Sequence, residues 1–148
     1  KRRQEVLLDT TKRVVLSDFA HHPTAIAGAL ESLRARWPNR EIIACFEPRS
    51  NTAVTNVFED RFADALALAD VALLGAVHRA EKIPVEKRIS PANMMERIKD
   101  HGKKGYAFSS NQELEEFLRQ YSYSKPALVV FFSNGSFDGV IGRFAQSQ

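Results

Sequence analysis

Four uninterrupted apolar runs constrain this chain more than any other feature. They are Val14-Val15-Leu16, Ile42 to Phe46, Val71 to Leu74 and Ala127 to Phe132. A strand with one wet face alternates apolar and polar residues, whereas a strand buried on both faces is apolar throughout. The runs therefore predict strands of a middle layer, covered on both sides. Val6-Leu7-Leu8 and Lys104 to Phe108 read as two shorter strands.

Helical patterns fill the gaps between the runs. Ile26, Leu30, Leu33 and Trp37 share one face of a helix that Pro23 can open and Pro38 stops. Val54, Val57, Phe58, Phe62, Leu66 and Ala69 recur at helical spacing as far as Asp70. Ser90-Pro91 reads as an N-cap and a first-turn proline, with Gly102 at the far end. Ser110 and Glu113 have capping-box spacing ahead of Leu114, Phe117, Leu118 and Tyr121. Phe137, Val140, Ile141 and Phe144 mark a last short helix. Strand and helix in alternation predict an α/β fold: a mostly parallel sheet with helices on both faces. No repeat or Pro/Gly/Ser linker divides residues 1–148, so a single domain is expected.

Composition removes several classes. With 44% hydrophobic and 26% charged residues the chain is neither disordered nor fibrous. No apolar run nears the roughly 20 residues of a membrane-spanning helix, and no apolar segment follows Lys1-Arg2-Arg3 as a secretory signal requires. The single cysteine, Cys45, allows neither an internal disulfide nor a Cys-x-x-Cys metal motif. A cytoplasmic setting is expected. The net charge of +3 suits anionic small molecules, and no aromatic-basic nucleic-acid module is present. No membrane or nucleic-acid partner is expected.

Ligands of parallel sheets bind beyond the carboxyl ends of the strands. The segments there are Ser17-Asp18-Phe19-Ala20-His21-His22-Pro23-Thr24, Glu47-Pro48-Arg49-Ser50-Asn51-Thr52, Gly75-Ala76-Val77-His78-Arg79-Ala80-Glu81-Lys82 and Ser133-Asn134-Gly135-Ser136-Phe137-Asp138-Gly139. Three of the four histidines fall in them, so these loops are the expected site. Asp18 can serve a ligand or cap the next helix. Adjacent His21 and His22 point apart and make a poor metal pair, and no metal site is expected. Arg49 at a strand end suits a carboxylate or phosphate, or else a surface ion pair. Asn134-Gly135 can be a tight turn, and Cys45, Met94 and Met95 read as core. No G-x-x-x-x-G-K-[ST] loop, G-x-G-x-x-G fingerprint, G-x-S-x-G or H-E-x-x-H motif occurs. The chain reads as a substrate-facing domain, and as part of a longer protein.

The segment from Ser17 to Thr24 resembles the D-[YF]-x-H-x-P motif that opens the C-terminal domain of the Mur ligases, which build the peptide stem of the bacterial cell wall. Phe46 to Thr52 and Ser133 to Gly139 extend the resemblance over essentially the whole chain. It implies a Rossmann-like C-terminal domain, with residues 1–12 leading in from a central ATPase domain and Lys1, Arg2 and Arg3 at the hinge. It also implies ATP and Mg2+, held mainly by that central domain, and an N-terminal domain for the UDP-sugar. The branch resembled joins recycled L-alanyl-γ-D-glutamyl-meso-diaminopimelate to UDP-N-acetylmuramate through an acyl phosphate, in peptidoglycan recycling. The branch adding L-alanine to UDP-N-acetylmuramate shares the double-histidine motif and is the alternative. A stand-alone module for anionic ligands is another. The fragment alone is expected to be inactive.

By the same resemblance Asp18 contacts the ATP ribose, and His21 lies near the reacting centre and incoming amine. Phe19 keeps the ring of a tyrosine in related ligases and loses its hydroxyl, and Ser17 replaces a common acidic residue. Arg49 matches the arginine of a D-N-P-R motif that holds a substrate carboxylate. Asn51, Ser133, Asn134 and Ser136 are implied as polar contacts to the peptide.

Overall fold

The computed structural model describes residues 3–148. Strands β1 (Glu5–Asp9), β2 (Arg13–Asp18), β3 (Glu41–Phe46), β4 (Val71–Leu74), β5 (Lys104–Ala107) and β6 (Ala127–Phe132) form one sheet. Its order is β1-β2-β6-β3-β4-β5. Only β1 runs antiparallel, against β2; every other pairing is parallel. The expected α/β class and mostly parallel sheet are both found.

The continuous runs are explained by two cores that divide each strand residue by residue. Leu128, Val130 and Phe132 face α1 (Pro23–Arg36), α2 (Glu59–Leu66) and α3 (Pro91–Asp100). Ala127, Val129 and Phe131 face α4 (Asn111–Gln120) and α5 (Val140–Gln146). Every residue of β3, β4 and β6 is buried. Cys45 is in this core, where burial pushes its thiol well above the ordinary value. Met94 and Met95 are buried on α3.

Caps follow the sequence closely. The Ser90 and Ser110 side chains accept from the Asn93 and Glu113 N–H groups. Pro23 opens α1, and Gly102 follows α3 with a left-handed φ of 78°.

Two helix starts differ from expectation. The periodicity from Val54 predicts a helix that in fact begins at Glu59. Residues before it pair elsewhere: Val54 accepts from the Ile89 N–H at 3.0 Å, and the Asn56 N–H donates to the Lys87 carbonyl at 2.9 Å. Val57 is consequently 72% exposed rather than on a buried face. The last helix begins at Val140, because Phe137, Asp138 and Gly139 have φ of 56°, 54° and 80°. Among the described residues, no helix is long and apolar enough to cross a membrane.

Candidate functional site

Parallel register aligns the four strand ends. Asp18 and Phe46 both pair with Phe132, and Phe46 also pairs with Leu74. Pairing runs one residue further: Ser133 donates to Asp18, Glu47 to Phe132 and Gly75 to Phe46 through their backbone N–H groups. The four loops therefore leave one edge side by side, as the sequence predicts.

Asp18 is fully buried at the end of β2. Its Oδ1 accepts from the Ala20 N–H at 2.8 Å and from Arg3 Nε at 2.6 Å. Among the described residues its Oδ2 is buried with no hydrogen-bond partner. A buried carboxylate oxygen without a donor is costly, so this atom is a ready acceptor for a hydroxyl. Asp18 does not cap α1; His22 occupies that position, without a side-chain cap bond. Arg3 approaches from the lead-in to β1. Lys1 and Arg2, assigned with it to a hinge, lie outside the described residues.

His21 and His22 diverge as adjacent residues must. His21 Nδ1 lies 2.9 Å from the Phe19 carbonyl. A carbonyl only accepts, so Nδ1 carries the hydrogen and neutral His21 presents a lone pair at Nε2. The half-exposed Phe19 ring meets the His21 ring edge-on at 5.5 Å. The His22 ring instead lies 5.5 Å from that of Phe58.

The second group surrounds Arg49. Its Nη1 is 3.6 Å from Glu47 Oε2, an ion pair longer than a hydrogen bond. Among the described residues its guanidinium makes no hydrogen bond, so its donors are open. A Cβ added to Gly135 would fall 2.6 Å from Arg49 Nε; the arginine lies against bare backbone. Ser133 turns inward: its hydroxyl donates to Glu47 Oε1 at 2.6 Å and accepts from the Gly135 N–H at 2.8 Å. That bond makes the tight turn. Asn134 Oδ1 is buried without a partner among the described residues. Ser136 is exposed, and exposed Asn51 lines a hollow of about 220 Å³ with Thr52, Thr55, Val57 and Phe58.

Asp18 thus ends β2 with Phe19 and His21 just beyond it, Arg49 and Asn51 lie beyond β3, and Ser133, Asn134 and Ser136 beyond β6, all on one edge. Asn111 and Asp138 join Glu47 there, and sequence reading gave no role to any of the three. Asn111 follows a helix cap, where a polar residue is ordinary. Among the described residues no group of three or more His, Cys, Asp or Glu side chains is placed to hold a metal ion.

The family described as Mur ligase, glutamate ligase domain, matches residues 2–135. The chain belongs to the Mur ligase family. It is 32% identical over 119 residues to a UDP-N-acetylmuramate–L-alanine ligase of Sulfurihydrogenibium, covering 80% of this chain and 26% of that protein. A Streptococcus gordonii protein of the same name is 30% identical over 127 residues, 76% of this chain and 28% of the relative. The chain thus spans about a quarter of such Mur ligases. Its fold matches a murein peptide ligase of Psychrobacter arcticus with a TM-score of 0.75 at 27% identity, over 99% of this chain and 30% of the other. A UDP-N-acetylmuramate-alanine ligase of Thermotoga maritima shares the fold with a TM-score of 0.74 at 24% identity, over 99% and 29%. The Mur ligase membership and C-terminal domain fold expected from the motifs are both found; the two branches remain to be separated by function.

Proposed function

We propose that this domain is the closing lid of an ATP-dependent amide ligase that joins a recycled L-alanyl-γ-D-glutamyl-meso-diaminopimelate peptide to UDP-N-acetylmuramate, as a murein peptide ligase. The supporting observation is one sheet edge that presents three unused functions: Asp18 Oδ2, His21 Nε2 and the Arg49 donors. The Glu47-Pro48-Arg49-Ser50-Asn51-Thr52 string favours the peptide over the free amino acid. The N-terminal and central domains of the same chain would complete the enzyme, in the cytoplasm.

ATP supplies the phosphoryl group that converts the muramyl carboxylate to an acyl phosphate, which a carboxylate needs because it is a poor electrophile. Asp18 Oδ2 fits a ribose hydroxyl, being an acceptor that lacks a donor. The described residues do not fit a Mg2+ cage, so no step here runs through that ion. His21 Nε2 takes a proton from the attacking amine, since an ammonium has no lone pair to attack with. The Phe19 ring steadies that imidazole. Arg49 receives a peptide carboxylate through its paired N–H groups. Asn134 Oδ1 accepts from a peptide N–H, and Asn51 and Ser136 line the outer path. Ser133 acts through Glu47. Closure aligns the amine with the acyl phosphate and excludes water; the C–N bond forms as the acyl C–O bond breaks and inorganic phosphate leaves.

The names of the curated relatives favour a second reading, L-alanine addition. Steady-state turnover of the full-length enzyme with tripeptide and with L-alanine separates them. A kcat/KM for tripeptide about tenfold to a hundredfold higher is expected if Arg49 receives a carboxylate beyond the alanine unit, at a reach that the carboxylate of free alanine does not have. A preference for L-alanine would establish the second reading, and turnover with neither would overturn both.

A further inference from the structure

Asn111 is the first residue of α4, yet it is buried to 3% exposure at the centre of the strand-end edge. Its amide is fully used. Oδ1 accepts from the Ala76 N–H at 2.9 Å, and Nδ2 donates to Glu47 Oε2 and to Asp138 Oδ2, both at 3.0 Å. One side chain thereby ties the loops after β3, β4 and β6 together. We propose that Asn111 is a positioning residue, and that its bridge to Glu47 sets where Arg49 presents its guanidinium to the substrate carboxylate. This rests on the role given to Arg49 above.

Glu47 is the intermediary. It is 3% exposed, and both oxygens are held, Oε2 by Asn111 and Oε1 by the Ser133 hydroxyl. A carboxylate fixed at both oxygens cannot rotate. It faces Arg49 Nη1 at 3.6 Å, near enough to orient the guanidinium and too far to consume a donor. The Gly135 backbone also lies against the arginine, where an added Cβ would fall 2.6 Å from Arg49 Nε. The arginine therefore has a fixed charge and bare backbone as neighbours.

The surroundings show that the amide has one place to be. A Cβ on Gly75 would lie 2.5 Å from Asn111 Oδ1 and 2.9 Å from the Phe137 ring, so both abut that backbone. Phe137 and Asp138 hold left-handed φ, a conformation rare for an aromatic residue, and Asn111 grips the Asp138 carboxylate. Strained backbone at a strand-end loop persists only where its surroundings hold it.

The test uses the full-length enzyme. Asn111→Asp keeps the shape, removes both donors, and sets a carboxylate against Glu47 and Asp138. KM for tripeptide is expected to rise about tenfold or more, with kcat and KM for ATP changed by less than about twofold. Adding Glu47→Gln returns a donor to the bridge with its direction reversed, and part of the KM is expected to recover. Ser133→Ala frees one Glu47 oxygen without adding charge, and a smaller rise in the same KM is expected; it carries the test if Asn111→Asp does not fold. An unchanged tripeptide KM in a folded variant, a parallel loss for all substrates, or a double variant no better than Asn111→Asp overturns the proposal. If Arg49→Ala raises tripeptide KM and Asn111→Asp does not, only the positioning role fails. If wild-type enzyme ligates no tripeptide, the reading beneath it fails as well.

Discussion

Asp18 shows how much one atom can carry. One carboxylate oxygen accepts hydrogen bonds from the Ala20 N–H and Arg3 Nε, and the other is buried without a donor among the described residues. Asp18→Ala in the full-length enzyme is expected to raise KM for ATP about tenfold to a hundredfold, the worth of a charged hydrogen bond. Steady-state kinetics at saturating peptide check this. Glu115 answers to pH instead. It is 8% exposed, and its carboxyl is held below the ordinary 4.5, chiefly by the Arg143 hydrogen bond, with Arg119 adding to it and burial opposing. A lowered folded pKa means that this stabilisation is fully present above the ordinary value and is lost as pH falls through the lowered one. Thermal unfolding from about pH 7 to about pH 3 is expected to fall more steeply for wild type than for Glu115→Gln. Equal slopes would show that the pair contributes nothing.

At the scale of the element, legibility tracked burial. Strands β3, β4 and β6 could be read because both of their faces are covered, which forces unbroken apolar runs. Residues Val54 to Phe58 could not. Val57 and Phe58 fit a helical period, but their neighbours bond to the segment around Lys87 and Ile89, a tertiary pairing that local spacing does not encode. The turn after β6 was equally hidden. Asn134-Gly135 reads as an ordinary turn, while the demand on Gly135 comes from Arg49, distant in sequence. Gly135→Ala is therefore expected to weaken tripeptide binding about tenfold with little loss of stability. Kinetics and a melting curve together check it. A wild-type tripeptide KM would mean that Arg49 needs no bare backbone beside it.

For the whole molecule, a single sheet between two helical layers holds the fold, and its strand ends carry the candidate site. Phe131 is fully buried, with the Phe137 and Phe144 rings edge-on at 5.5 and 6.1 Å. Phe131→Ala is expected to cost about 3–5 kcal/mol, measured by urea unfolding. The sequence located the edge because parallel strands must release their loops together. It could not reveal Asn111, whose importance arises only when α4 packs against that edge. The central claim is that the loops on this edge perform the chemistry. Its most direct test is the turnover of full-length His21→Ala with tripeptide. A kcat lower by about a hundredfold to ten-thousandfold, with an unchanged melting temperature, is expected for loss of the proton acceptor. Wild-type kcat in the folded variant would contradict the account.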